Sequence, residues 1–130
     1  MREELDKQLC EKYPKIFADR HKPITETAMC WGFEHGDGWY ELINRLCNNI
    51  QSYIDWQNRT EEKVTQVVAD QVKEKYGTLR FYYSGGDDYI RGMVSMAESM
   101  SGVICEECGK PGTTGGKGWI RTTCIEHRRN

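Results

Sequence analysis

Three cysteines and one histidine near the end of the sequence have the residue types and spacing of a metal site. A CxxC pair is followed, after fifteen intervening residues, by a CxxH pair. Thiolates two residues apart in a tight turn can bind one tetrahedral ion, and a second such pair completes four ligands. The sequence therefore predicts one zinc ion bound by Cys105, Cys108, Cys124 and His127, the Cys/His cluster.

The expected role of this zinc is structural. A catalytic zinc keeps an open coordination position, whereas four protein ligands close the site. The segment 103–130 has few large apolar residues, so metal binding would supply much of its folding free energy. Disulfides or free thiols are the alternatives. The first residues lack the apolar run of a secretory leader, and we expect a reducing cytoplasm, which favours metal.

The remaining cysteines and histidines are weaker candidates for chemistry. Cys30 and His35 lie in one glycine-rich segment, but nothing in the sequence indicates a third catalytic group or an oxyanion hole. Cys10, Cys30 and Cys47 match no metal-ligand spacing, and Cys47 lies on an apolar helical stripe where cysteine is commonly a small core residue. We predict no catalytic residue and no enzymatic activity.

Apolar spacing predicts three helices. The first spans about residues 2–17, interrupted or ended by Pro14. The second spans about 38–55, with Asp37 placed to cap its start. The third begins at Asp87 or Asp88 as its cap and ends at Gly102.

Between the last two helices, the runs 63–75 and 78–84 are rich in β-branched or aromatic residues and are joined by Tyr76 and Gly77. They predict an antiparallel hairpin. The resulting class is α+β: two to three helices packed on a small antiparallel hairpin or sheet, with a C-terminal zinc ribbon. We expect a core at 1–102 and the ribbon at 103–130, where residues 116–123 read as a returning strand.

Aromatic side chains suggest a contact surface. The segment 28–39, the aromatic loop, places four aromatic rings among glycines, and in the second hairpin strand two residues lie opposite the apolar Leu79 and Phe81. Such rings either close a core or form a platform for a base or a partner, and the strand residues line a groove or face water. The candidate binding residues are Trp31, Phe33, His35, Trp39, Arg80 and Tyr82.

Charge and hydropathy narrow the function classes. The formal net charge is −2, although residues 103–130 hold five Lys or Arg against three Glu. A protein whose main function is to bind phosphate groups, such as those of nucleic acid, is usually more basic, and a protein that mimics DNA is far more acidic. No run approaches the length of a membrane span, so we expect no membrane role.

Three sequence blocks, taken together, resemble a family of small, mostly uncharacterised proteins of tailed bacteriophages and prophages, over about residues 28–127. The blocks are "AMCWGFEHGDGWYELI", "VKEKYGTLRFYYSGGDD" and "CEECGKPG…GWIRTTCIEH". The resemblance implies a viral protein that acts in the cytoplasm of a bacterial host. It implies no activity and no catalytic residue.

These features lead to three functional hypotheses. The first is a non-enzymatic binding protein that inhibits a bacterial defence system by contacting a host protein through the aromatic loop and hairpin. The second is a protein that sequesters a small signalling nucleotide with Arg80, Tyr82 and the aromatics around Trp31 and Trp39. The third is a nucleic-acid-binding regulator that uses the zinc ribbon.

Overall fold

The computed structural model describes residues 1–128 and begins with a helix, α1, at Glu3–Lys12. This helix is shorter than the predicted 2–17. Tyr13 leaves the helical conformation immediately before Pro14, because a residue that precedes proline is disfavoured in the α region. Ile16 and Phe17 are nevertheless buried, from the turns that follow the helix.

The aromatic loop contributes a strand that the sequence pattern did not reveal. After a 3-10 turn at Ala28–Trp31, the two residues Phe33–Glu34 form β1. It pairs in parallel with the first hairpin strand, Phe33 opposite Val72. The three-stranded sheet is therefore mixed, with β1 at one edge.

The predicted hairpin is confirmed. Strands β2, Val68–Lys75, and β3, Thr78–Ser84, pair antiparallel. Tyr76 and Gly77 both have positive φ, as a two-residue type I′ turn requires. Strand β2 starts later than residue 63, because residues ahead of it make other hydrogen bonds. Val64 N–H donates to the Asn58 side chain, and the side chain of Gln66 bonds to that of Gln51.

Helix α2, Tyr40–Gln57, and helix α3, Asp88–Ser101, lie close to the predicted bounds. Asp87 caps α3 as predicted, accepting the N–H of Ile90 at 3.0 Å. The predicted cap by Asp37 is wrong. A 3-10 turn at Asp37–Trp39 precedes α2, and the Asp37 carboxylate instead accepts the N–H of Arg2 and pairs with its guanidinium at 3.0 Å.

Helix α3 covers the free edge of β3. The N–H of Leu79 donates to Ser101 Oγ at 2.8 Å, and the N–H of Phe81 donates to Glu98 Oε2 at 2.9 Å. Side chains of the helix thus satisfy strand donors that would otherwise be open to pairing with another chain. The core lies between the helices and this sheet. Its largest fully buried apolar side chains are Trp39, Leu9, Ile16, Met29, Ile43, Ile50, Ile54, Leu79, Ile90, Val67 and Val72.

The ribbon contains a second, two-stranded sheet. Strands β4, Thr113–Gly115, and β5, Arg121–Thr123, pair antiparallel. The predicted returning strand at 116–123 is confirmed for its last three residues only, and Trp119 lies in the loop before it, 74% exposed. The last two residues of the predicted ribbon lie outside the described residues. Among residues 1–128, none of the helices has the length and apolarity that a membrane crossing requires.

Candidate metal centre

The Cys/His cluster comes together in space. Its four ligand atoms all lie within 4.8 Å of one another. The sulfurs of Cys108 and Cys124 are 3.7 Å apart, and His127 Nδ1 lies 3.7 Å from Cys105 Sγ and 3.2 Å from Cys124 Sγ. Two sulfurs bound to one tetrahedral zinc at about 2.3 Å would be about 3.8 Å apart. The cluster is therefore compatible with a structural metal site.

The polypeptide around Cys105 favours the thiolate that binds metal. Burial alone would raise the pKa of this thiol, but backbone N–H groups of Cys124, Cys108 and Glu107 lower the pKa to about 6. The first cysteine pair is closed into a turn by two backbone bonds, from Cys105 N–H to the Lys110 carbonyl and from Gly109 N–H to the Cys105 carbonyl. The turn thus presents N–H groups toward sulfur, and the thiolate is the form that binds a metal.

Glu107 lies on the far side of the histidine ring. With Nδ1 directed at the sulfurs, His127 Nε2 lies 4.0 Å from Glu107 Oε2, a buried atom with no hydrogen-bond partner in the described residues. The other carboxylate oxygen lies 3.7 Å from the Arg121 guanidinium. A carboxylate that hydrogen-bonds the second nitrogen of a metal-bound histidine fixes the ring orientation, and Glu107 lies just beyond that distance. The acidic residue inside the CxxC pair was the available sequence signal for a carboxylate at this position.

The aromatic loop packs directly on the first cysteine turn. Gly38 N–H donates to the Glu106 carbonyl at 2.7 Å, and Gly36 N–H donates to Glu106 Oε2 at 2.9 Å. The indole N–H of Trp39 donates to the Ile104 carbonyl at 2.9 Å. Three donors within four residues of the loop therefore hold the ribbon against the core.

The spacing of the loop glycines follows from this contact. A Cβ on Gly36 would lie 2.4 Å from the Glu106 carbonyl oxygen, and a Cβ on Gly38 would lie 2.1 Å from that of Cys105. Real Cβ atoms do not approach backbone oxygens so closely. Two glycines in alternate positions allow the two backbones to touch.

The hairpin turn forms the other side of this contact. The hydroxyl of Thr122, which is fully buried, donates to the Gly77 carbonyl at 2.6 Å. A Cβ on Gly77 would crowd Ile120 and Arg121, and its φ is positive. The aromatic loop, the hairpin turn and the ribbon, which are far apart in the sequence, therefore meet at one contact.

Three of the predicted binding residues are inside the protein. Phe33, His35 and Trp39 are buried, so the expectation that they form a partner surface is corrected. The His35 ring lies between the other two, its Nδ1 2.8 Å from the Gly36 carbonyl oxygen. Burial lowers the pKa of His35 to about 4. Packing in the core, the alternative that the sequence left open, accounts for these rings.

The other predicted binding residues are accessible. Trp31 is 61% exposed and Tyr82 is 43% exposed, while Arg80 is half-buried. Arg80 and Tyr82 lie on the outer face of the sheet, opposite Lys73 and Gln71 of β2 respectively. The structure brings these two together on one face. Sequence reasoning overlooked Lys73. Its place opposite Arg80 could have been predicted, because a turn at residues 76–77 fixes the register of the hairpin.

Two of the three thiols outside the Cys/His cluster, those of Cys10 and Cys47, are poorly suited to nucleophilic chemistry. Burial is the main cause that raises the pKa of Cys10 to about 12, and burial also raises the pKa of Cys47. Both thiols stay protonated at neutral pH. Within residues 1–128, the Cys/His cluster is the one group of three or more Cys, His, Asp or Glu side chains placed to hold a metal ion.

Comparison with known proteins identifies no relative, so the class of protein is defined here by the fold and the site. No protein-family model, no curated protein and no solved structure matches this chain. The fold and the site define a small α+β protein with a C-terminal ribbon whose Cys3His cluster is compatible with a structural metal. The resemblance to phage proteins stays a prediction.

Proposed function

We propose that the protein is a phage-encoded, non-enzymatic binding protein that acts in the host cytoplasm and inhibits a bacterial defence system by contacting a host protein. The contact surface is the outer face of the hairpin, formed by Gln71, Lys73 and Lys75 of β2 with Thr78, Arg80 and Tyr82 of β3. The viral origin and the defence target rest on the resemblance of the three sequence blocks.

One observation carries the choice of surface: three cations share this face, and none of them forms an ion pair. Lys73, Lys75 and Arg80 have no carboxylate within 4.0 Å among residues 1–128. Glu34 of β1 lies beside Lys73 in the register and accepts a hydrogen bond from Gln71 Nε2 instead. Lys73 Nζ lies 6.0 Å from the centre of the Tyr82 ring. Tyrosine and arginine are enriched among residues that dominate binding energy, and complementary charge speeds association. The partner surface that fits is acidic with an apolar depression for Tyr82.

We also propose that the bound metal is Zn2+ and that its role is structural. Three sulfur donors and one imidazole suit zinc, and hard cations such as magnesium prefer oxygen. Four protein donors leave no open coordination position for a substrate. The metal would therefore stabilise the ribbon. Because the aromatic loop hydrogen-bonds to the ribbon and leads into α2, the metal would also stabilise the packing of α2 against the ribbon.

A co-purification experiment tests the proposed surface. The zinc-loaded protein is expressed in bacteria that carry a defence system, and partners are recovered by cross-linking and mass spectrometry. Paired substitution Arg80→Glu with Tyr82→Ala should abolish recovery of a specific acidic host protein and restore the bacterial block to phage growth. Lys15→Glu, at an exposed lysine after α1, makes the same kind of charge reversal away from this face and should have no effect.

Two outcomes would contradict the proposal. One is that no host protein depends on the outer face, and the other is that the protein gives no protection to phage in any defence-bearing strain. If the paired substitution instead removed binding to nucleic acid and left host-protein recovery unchanged, the partner class would be wrong.

A further inference from the structure

A cavity with both polar and apolar walls lies between the ribbon hairpin and the end of β2, on a part of the surface that the proposed function does not use. Its volume is about 880 Å³. The walls include Trp119 and Lys117 from the β4–β5 loop, Arg128 after the Cys/His cluster, and Glu106 from the first cysteine turn. An indole, cations and a carboxyl group therefore line one space.

Glu106 is the most unusual of these groups. It is only 6% exposed, and its Oε2 accepts the Gly36 N–H. Its Oε1 is buried with no hydrogen-bond partner in the described residues. A buried polar atom without a partner is costly, so it calls for a donor that the protein itself does not supply. Of the other carboxylates near the cavity, Glu74 accepts the Gly77 N–H and Glu107 faces Arg121 and His127.

Trp119 offers the complementary apolar surface. It is 74% exposed in the β4–β5 loop, so its ring is open to a ligand. An exposed tryptophan beside cations is the arrangement on which nucleic-acid bases stack. Lys117 and Arg128 have no carboxylate within 4.0 Å among residues 1–128, so both are available to a phosphate.

We propose that this cavity binds a guanine nucleotide, with the base stacked on Trp119, its N–H edge donating to Glu106 Oε1, and its phosphate bound by Lys117 and Arg128. A carboxylate only accepts hydrogen bonds. Oε2 is occupied by the Gly36 N–H, so Oε1 is the oxygen that meets the base. The pairing edge of guanine presents two adjacent N–H donors, and both can donate to this one oxygen. Adenine offers one donor beside an acceptor nitrogen, which the oxygen repels, so Oε1 favours guanine over adenine. The same chemistry is offered by a free nucleotide and by a guanine in single-stranded nucleic acid.

Calorimetry on the full-length, zinc-loaded protein tests the site with GMP, AMP, guanosine and a guanine-containing RNA hexamer. GMP should bind more tightly than AMP. Trp119→Ala should weaken GMP binding on the order of tenfold, because base stacking on an aromatic ring contributes that much. This substitution removes an exposed ring, so the fold should persist. Lys117→Ala should weaken GMP while leaving guanosine unchanged.

Glu106→Gln provides the specificity test. The glutamine keeps an acceptor for Gly36 N–H but also presents an amide donor, so the preference for GMP over AMP should be lost. Zinc content and circular dichroism confirm that each variant is folded. Tighter binding of the hexamer than of GMP would assign the site to single strands, and the reverse would assign it to free nucleotides. The inference is overturned if neither binds, or if binding is unaffected by Trp119→Ala and equal for GMP and AMP.

Discussion

The backbone of Gly38 lies against the carbonyl group of Cys105, so closely that a Cβ on the glycine would be 2.1 Å from that oxygen and 2.6 Å from the backbone nitrogen of Gly109. This contact joins the start of α2 to the first pair of predicted metal ligands. The ribbon is thus positioned by main-chain contact as well as by its own cluster.

Gly38→Ala should separate the ribbon from the core. The new methyl group meets backbone, which cannot rotate away as a side chain can, so the unfolding free energy should fall by about 2 kcal/mol or more. Urea unfolding of the zinc-loaded protein measures this loss. Gly92→Ala in α3 is the matched control. Nothing lies within 4 Å of its Cβ, and it should stabilise the helix by about 0.5–1 kcal/mol. Equal effects of the two substitutions would contradict the contact.

Removal of the metal should unfold the ribbon before the core. The purified protein should contain one zinc per chain by elemental analysis. A chelator should move the NMR resonances of residues 103–128 to random-coil positions, with loss of their chemical-shift dispersion. Cys108→Ser should reproduce this state without chelator. Cys30→Ser removes a thiol outside the Cys/His cluster and should leave the zinc stoichiometry unchanged. Full metal content in the Cys108 variant would show that this residue is not a ligand.

Local patterns in the sequence predicted the elements that depend on local physics. The hairpin turn at Tyr76 and Gly77 and the Asp87 cap depend on residues a few positions apart, and both are confirmed. The Cys/His cluster consists of two such local pairs, fifteen residues apart, and the structure brings them together as predicted. The Asp37 cap failed because Arg2, 35 residues away in sequence, binds that carboxylate. A capping rule that considers only neighbouring residues cannot include a distant donor such as Arg2, which competes for the same carboxylate.

The larger omission was the contact between the aromatic loop and the ribbon. Its partners, such as Gly36 and Glu106, are 70 residues apart in sequence. Strand β1 was missed for a related reason, because two residues are too few to show alternation. The alternate glycines of the loop were the usable signal, since glycine allows another backbone to approach closely. The aromatic rings suggested a binding surface, whereas the structure uses most of them to seal the core beneath this contact.

Ser101→Ala should expose the dependence of β3 on α3. The buried hydroxyl accepts the N–H of Leu79 at 2.8 Å, and its loss leaves that donor buried without a partner. The expected cost is about 1–3 kcal/mol in the free energy of unfolding, with faster hydrogen exchange at Leu79. Ser95→Ala on the exposed face of the same helix controls for helix propensity and should be neutral or slightly stabilising. Unchanged exchange at Leu79 would show that the hydroxyl is dispensable.

His35 should make the protein less stable as the pH falls below neutrality. Burial is the main cause that lowers the pKa of the folded-state imidazole from 6.5 to about 4. Between these values the unfolded chain binds a proton that the folded protein resists, so stability is complete above about pH 6.5 and decreases toward pH 4. The full effect is about 3 kcal/mol.

His35→Phe tests this dependence because it keeps a ring between Phe33 and Trp39 but cannot bind a proton. Denaturant unfolding at pH 7.0 and pH 4.5 should show a smaller loss of stability for the variant, by about 2 kcal/mol. Acid also protonates the Cys/His cluster, but it does so in both proteins, and the difference between their slopes isolates His35. Parallel pH profiles would mean that the folded protein accommodates the charged imidazole, and that burial of this ring does not set the acid limit of the fold.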